Sequence, residues 1–230
     1  MSALVIAVVS AALIVGAAWG VYGTLPKQVE GFIVALAGGA LMISAVLELI
    51  EPSSRQAPFW AVALLVVAGA VVFAGLDALI EKKWGGDSGG GLLAAITLDG
   101  IPENLALGVA LIGTGPLGAA ALAGSILLSN LPEAAGGARD MAAGGRSKSA
   151  VMGLWAGTAA LLTAAALAGN LLLGGAPESA LALIRSFAGG AVIGSLAIAV
   201  FPKAFKESGY STGLAVALGL LLALYLDQLG

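Results

Sequence analysis

Leu98-Asp99-Gly100-Ile101-Pro102-Glu103 and Leu128-Ser129-Asn130-Leu131-Pro132-Glu133 are two matching stretches thirty residues apart, each ending in Pro-Glu and each inside a long apolar run. No Lys, Arg or His lies in either stretch. An uncompensated carboxylate within a membrane helix costs about 2.5–3.5 kcal/mol even on the lenient insertion scale. Asp99, Glu103 and Glu133 at one depth therefore need a cation, a proton or a water-filled path.

The surrounding chain makes that depth a bilayer. Its 230 residues are 60% hydrophobic and 10% charged, with a mean hydropathy of +1.04, which excludes a soluble domain. A membrane helix needs about 20 mostly apolar residues. Such runs predict spans near 2–22, 28–50, 57–80, 91–113, 116–136, 149–173, 179–201 and 211–229, which form a single transmembrane domain over 1–230. The expected class is an all-α polytopic protein whose partner is the lipid bilayer. The first run has no basic residue before it, so it reads as a retained span and not as a cleaved signal peptide.

Cysteine and histidine are both absent. That removes disulfides, thiolate ligands and the commonest proton shuttle. No basic patch supports nucleic-acid binding. With the N-terminus outside, Lys27, Lys82, Lys83, Arg139, Arg146, Lys148, Lys203 and Lys206 fall on the cytoplasmic side, leaving Arg55 and Arg185 outside. This positive-inside bias predicts a multi-pass protein of the plasma membrane with both termini extracytoplasmic.

Ala37-Gly38-Gly39-Ala40 in the second span recurs as Ala188-Gly189-Gly190-Ala191 in the seventh. By this topology those spans run in opposite directions, as do the fourth and fifth. Similar sequences in opposed orientations predict an inverted 3+2+3 repeat with a site where the halves meet. The small-residue helix faces would also suit a homodimer.

Residues four apart share a helix face, which stacks Asp99 with Glu103 and Ser129 with Glu133. Proline removes an N–H and crowds the carbonyl four residues back, freeing the carbonyls of Leu98 and Leu128. In a membrane such groups are tolerated only where neighbours, water or an ion satisfy them. Three carboxylates, the Asn130 amide and the Ser129 hydroxyl thus offer a shared set of oxygen donors. Without a metal, at least one carboxylate would have to hold a proton.

This arrangement resembles the ZIP (Zrt/Irt-like) family of divalent-metal transporters, whose fourth span carries His-Asn-x-Pro-Glu-Gly and whose fifth carries His-x-x-Pro-Glu. The resemblance covers essentially the whole chain. Gly38-Gly39 and Glu48-Leu49-Ile50 look like that family's glycine-rich second span with a polar end, and Ala188-Gly189-Gly190 like its seventh. Asp99 and Ser129 stand where the family has histidines, Gly100 where it has asparagine and Asn104 where it has glycine. The sixth span, Ala150 to Leu173, has no acid; Thr158, Thr163 and Asn170 are its notable polar residues. The resemblance implies one metal site built from Asp99, Glu103 and Glu133, completed by Asn130 or Ser129. It also implies inward transport by alternating access, the metal being substrate and no cofactor being required. Oxygen donors shift the expected ion toward Mn²⁺ or Fe²⁺, with Zn²⁺ still carried.

Glu48, near the outer end of the second span, is expected on the ion's way in; a solvated helix end is its alternative. Asp77 is expected to snorkel or pair near Lys82 and Lys83. Arg185 is expected as an interfacial anchor or a partner of Glu178. Pro26, Pro52, Pro58, Pro116, Pro177 and Pro202 mark span ends, and Trp19, Trp60, Trp84 and Trp155 fall mostly at interfaces. Two other functions stay open: a degenerate relative that binds or senses metal without moving it, and an intramembrane enzyme. The enzyme lacks the His-Glu-x-x-His of metal-dependent proteolysis.

Overall fold

The computed structural model describes residues 2–24, 26–84, 89–112 and 119–228, without the side chains at 84, 89–93, 95, 96 and 99. Among the described residues it is entirely helical, in eight rods. They are α1 (Ser2–Tyr22), α2 (Lys27–Gln56), α3 (Phe59–Trp84), α4 (Gly89–Ala110), α5 (Ala120–Ala143), α6 (Lys148–Leu172), α7 (Glu178–Ser208) and α8 (Ser211–Asp227). Among the described residues α1, α2, α3, α6 and α7 are long and apolar enough to cross a membrane, and α8 is a shorter apolar helix. In α5 the apolar run is diluted by Ser125, Ser129, Asn130, Pro132 and Glu133. These are the helices of a multi-pass membrane protein. On α3, Phe59, Trp60, Leu64, Val67, Val71 and Leu79 are exposed on the outside of the bundle.

Prolines 52 and 202 do not end their helices. Each follows a π-helical turn, Ala45–Ile50 in α2 and Leu196–Val200 in α7, and each helix continues beyond it. The N–H of Glu51 reaches the carbonyl of Val46, and that of Phe201 the carbonyl of Leu196, one residue further back than in an α-helix. The widened turn accommodates the missing proline N–H and the ring's clash with the preceding turn. Pro26 and Pro177 do precede helices, as expected, and Pro116 lies outside the described residues.

The second and seventh rods repeat each other in register: Pro26, Gly38, Gly39, Ala40 and Ser44 recur as Pro177, Gly189, Gly190, Ala191 and Ser195, each stretch followed by its π turn. The packing repeats as well. Helix α1 lies on α5 and α6 on α4; α2 lies on α8 and α7 on α3. Helix α2 also packs on α5, as α7 does on α4. Exchanging the two halves maps this set of neighbours onto itself.

Glycine makes these contacts close. A Cβ on Gly39 would strike the Val216 carbonyl on α8, and one on Gly190 the Val66 carbonyl on α3. In return Gly219 lies against the Leu36 carbonyl and Gly69 against that of Phe187. Between α2 and α7 the contact is reciprocal: Gly38 faces Val200 and Phe201, Gly189 faces Leu49 and Ile50. The early part of one helix thus meets the late part of the other, so the two run antiparallel. Without a hydrophobic force between helices in lipid, this backbone approach is what holds them.

Helices α4 and α5 occupy the middle. Leu107, Leu122 and Ile126 join Leu41, Leu49 and Leu196 in one core, while Leu13, Ala134, Ala138 and Leu162 surround Trp155 in a second. Trp155 is therefore not an interfacial ring but a completely buried one. Trp19 and Trp60 are exposed, and the side chain of Trp84 lies outside the described residues.

Gly39→Ala and Gly190→Ala should each cost about 1–3 kcal/mol by overpacking. Gly75→Ala, where a Cβ meets nothing within 4 Å, should be neutral or gain up to about 1 kcal/mol. Thermal unfolding midpoints of the three variants in one detergent check the contrast.

Candidate functional site

Both Pro-Glu stretches stay helical: Pro102 lies within α4 and Pro132 within α5. The two helices pack on each other. Glu103 is buried, at 5% exposure, and Glu133 is half-buried. The Ser129 hydroxyl donates to Glu133 Oε1 at 2.7 Å, so their four-residue spacing does bring them together. Asn130 instead turns to α1, where its amide donates to the Val9 carbonyl at 3.4 Å. The interhelical bond therefore engages the nitrogen of that amide. The side chain of Asp99 lies outside the described residues. Among the described residues no three of the types His, Cys, Asp and Glu converge closely enough to hold a metal; Glu103 and Glu133 are the described acids of the expected set.

Asn104 is a donor that the sequence reading passed over. It is fully buried, its Nδ2 donates to the Gly100 carbonyl at 2.9 Å, and its Oδ1 has no hydrogen-bond partner among the described residues. A buried amide oxygen without a donor is costly unless something electropositive reaches it. Its signal in the sequence was an amide directly after Pro-Glu, at a position where glycine was the expected residue.

Helix α5 presents a polar line over most of its length. Ser125, Ser129, Glu133 and Gly136 follow at spacings of four, four and three, which puts them on one face. At one end the Glu48 carboxylate of α2 accepts the Leu122 N–H at 2.6 Å, three residues past the N-cap Ala119. That satisfies one of the orphan donors at a helix start and sets negative charge on the positive end of its dipole. Glu48 is thus occupied as a cap for α5. Next along, Ser44 and Ser125 share a hydrogen bond of 3.1 Å.

At the other end Glu30, fully buried, lies where a Cβ on Gly136 would be. Its Oε2 receives the Arg139 guanidinium at 2.7 Å, and its Oε1 lies 3.7 Å from Lys203 Nζ on α7. Gly136 is one turn of α5 from Glu133, so Lys203, through Glu30, comes near that acid. Glu207 and Lys27 lie within the same field. The stretch with no base in its sequence is therefore approached by one in space.

Arg185 is neither an interfacial anchor nor solvated. It is buried and its Nη2 donates to the Val109 carbonyl at 3.3 Å, placing positive charge at the C-terminal end of α4, with Glu178 close enough to act on it electrostatically. Asp77 is close enough to Glu81 for their charges to interact.

No family model matches the chain, and no curated protein matches it.

Glu48→Ala should cost about 1 kcal/mol by leaving the Leu122 N–H bare, whereas Glu48→Gln keeps an acceptor and should cost less. Unfolding midpoints distinguish this capping role, for which the acceptor matters, from a purely electrostatic one, for which both variants behave alike.

Proposed function

We propose that this protein is a divalent-metal transporter of the ZIP type. In this reading eight spans form an inverted 3+2+3 repeat with both termini extracytoplasmic, and Mn²⁺, Fe²⁺ or Zn²⁺ moves into the cytoplasm across the plasma membrane. Glu103 and Glu133 are the central ligands, with Asp99 as the third acid and Ser129, Asn130 and Asn104 as oxygen donors nearby. The observation that carries the reading is the polar line on α5: a carboxylate in its middle and carboxylates of α2 at both ends, inside a bundle otherwise built for lipid. A membrane protein keeps ionisable groups at such depth mainly for pathways and relays.

The matched packing of the halves supports the repeat, and the antiparallel course of α2 and α7 supports its inversion. The donor set supports a hard or borderline cation, since every group is an oxygen. Alternating access would move α4 and α5 against α2 and α7, the helices that clamp them at both ends.

Uptake of radioactive Mn²⁺ into proteoliposomes tests the reading. Glu103→Ala and Glu133→Ala should each lower uptake by at least about tenfold, the loss expected even for residues one step removed from a metal. Uptake that survives both substitutions removes the site. Ion binding without uptake in the wild-type protein leaves the sensor reading. In a competition assay Asp99→His should shift preference toward Zn²⁺; outright preference for Zn²⁺, unchanged by that substitution, removes the proposed Mn²⁺/Fe²⁺ bias.

A further inference from the structure

Lys203 stands at a junction that neither the Pro-Glu pairs nor the repeat explains. Its Nζ lies 3.7 Å from Glu30 Oε1, and the same Oε1 occupies the space that a Cβ on Gly136 would fill. Gly136 is one turn along α5 from Glu133, on the same face. A lysine anchored on α7 thereby places its ammonium on Glu30 of α2, whose carboxylate sits about one turn of α5 from Glu133. The groups around it are Glu30, Glu133 and Glu207 on the acid side, with Arg139 and Lys27 as the other bases.

Cation and ammonium would compete for the same electrostatic room. A divalent ion at Glu133 and an ammonium about a helical turn or more away repel, and within a protein such repulsion counts on the scale of binding. Lysine suits the role, as a compact point charge on a flexible four-carbon stem. From its place on α7 it already reaches Glu30, at 3.7 Å. Arg139 grips the opposite oxygen of Glu30 with a guanidinium and holds that acid in place.

We propose that Lys203 is a tethered counter-cation that holds the place of the divalent ion between Glu133 and Glu30, and that an ion moving from Glu133 toward the Glu30 end must displace it. The proposal rests on the transport reading and names the residue that regulates its site. It also assigns Gly136 a purpose: the missing Cβ lets the Glu30 carboxylate come within one turn of Glu133.

Equilibrium binding of Mn²⁺ to the purified full-length protein in detergent is the test, with Lys203→Gln, Lys203→Arg, Arg139→Gln and Gly136→Ala. Lys203→Gln should tighten Mn²⁺ binding by about tenfold or more, because one charge repelling the ion is lost. Lys203→Arg keeps the charge and should bind like the wild type. Arg139→Gln breaks the other half of the Glu30 pairing, a turn further from Glu133, and should stay within about twofold. Gly136→Ala pushes Glu30 aside, leaves Lys203 to Glu133 alone, and should weaken binding; it carries the test if Lys203→Gln does not fold. Unchanged affinity in Lys203→Gln, or equal shifts in Lys203→Gln and Arg139→Gln, overturns the proposal while leaving the transport reading in place. No Mn²⁺ binding by the wild-type protein overturns both.

Discussion

A carboxylate held in a low-dielectric interior has to be met by positive charge, and the position of three helices in this bundle follows from that demand at Glu30. The acid is fully buried, and Arg139 of α5 and Lys203 of α7 converge on it. Removing one partner of a buried pair costs about 3–5 kcal/mol in general, because the survivor is left uncompensated. Here the second cation shares the load. The same demand explains Gly136, since any side chain there would push the carboxylate off its place. At the opposite end the currency is different: Glu48 and Arg185 meet backbone groups at the ends of α5 and α4, where the helix dipoles supply the opposing partial charge.

Between these clamps, close backbone contact replaces side-chain interdigitation. The alanines and glycines of α2 and α7 bury no large apolar surface, and in lipid they would gain little from doing so. What they provide is proximity, which strengthens every dispersion contact along the crossing. The reciprocal seating of Gly38 on Val200 and Phe201, and of Gly189 on Leu49 and Ile50, fixes both the direction and the register of the pair. The π turns then carry each helix past its proline without a break, so the polar residues beyond them, Lys203 among them, remain on one rigid rod.

Periodicity and composition revealed the rods, the Ala-Gly-Gly-Ala match and the two Pro-Glu pairs, because each of those is written in neighbours along the chain. Ser129 and Glu133 met as their spacing required. What the structure added concerns mostly partners distant in sequence. Glu30 and Arg139 lie 109 residues apart, and neither had a local signal. The backbone N–H of Leu122 that Glu48 Oε1 meets on α5 carries no sequence mark, so this capping role was not legible. The tryptophans were expected mostly at interfaces by residue type, yet Trp155 lies in a packed core with Leu13, Val151, Leu162 and several alanines. Pro52 and Pro202 were read as stops because a π turn cannot be told from a helix end by inspection of the residues.

The match between the halves also exposes where they differ. In the register set by Pro26 and Pro177, the position of Glu30 is taken in the other half by Leu181; in that set by Pro52 and Pro202, the position of Lys203 is taken by Ser53; in that set by Pro102 and Pro132, the position of Arg139 is taken by Val109. One end of the frame is therefore fastened by paired ions, and its counterpart, among the described residues, by apolar contacts and by Glu48 and Arg185 on backbone groups. Two identical halves would hold the bundle together equally at either end. The exchange of Leu, Ser and Val for Glu, Lys and Arg lifts that degeneracy, so the hold at the Glu30 end answers more strongly to salt and dielectric than its counterpart does.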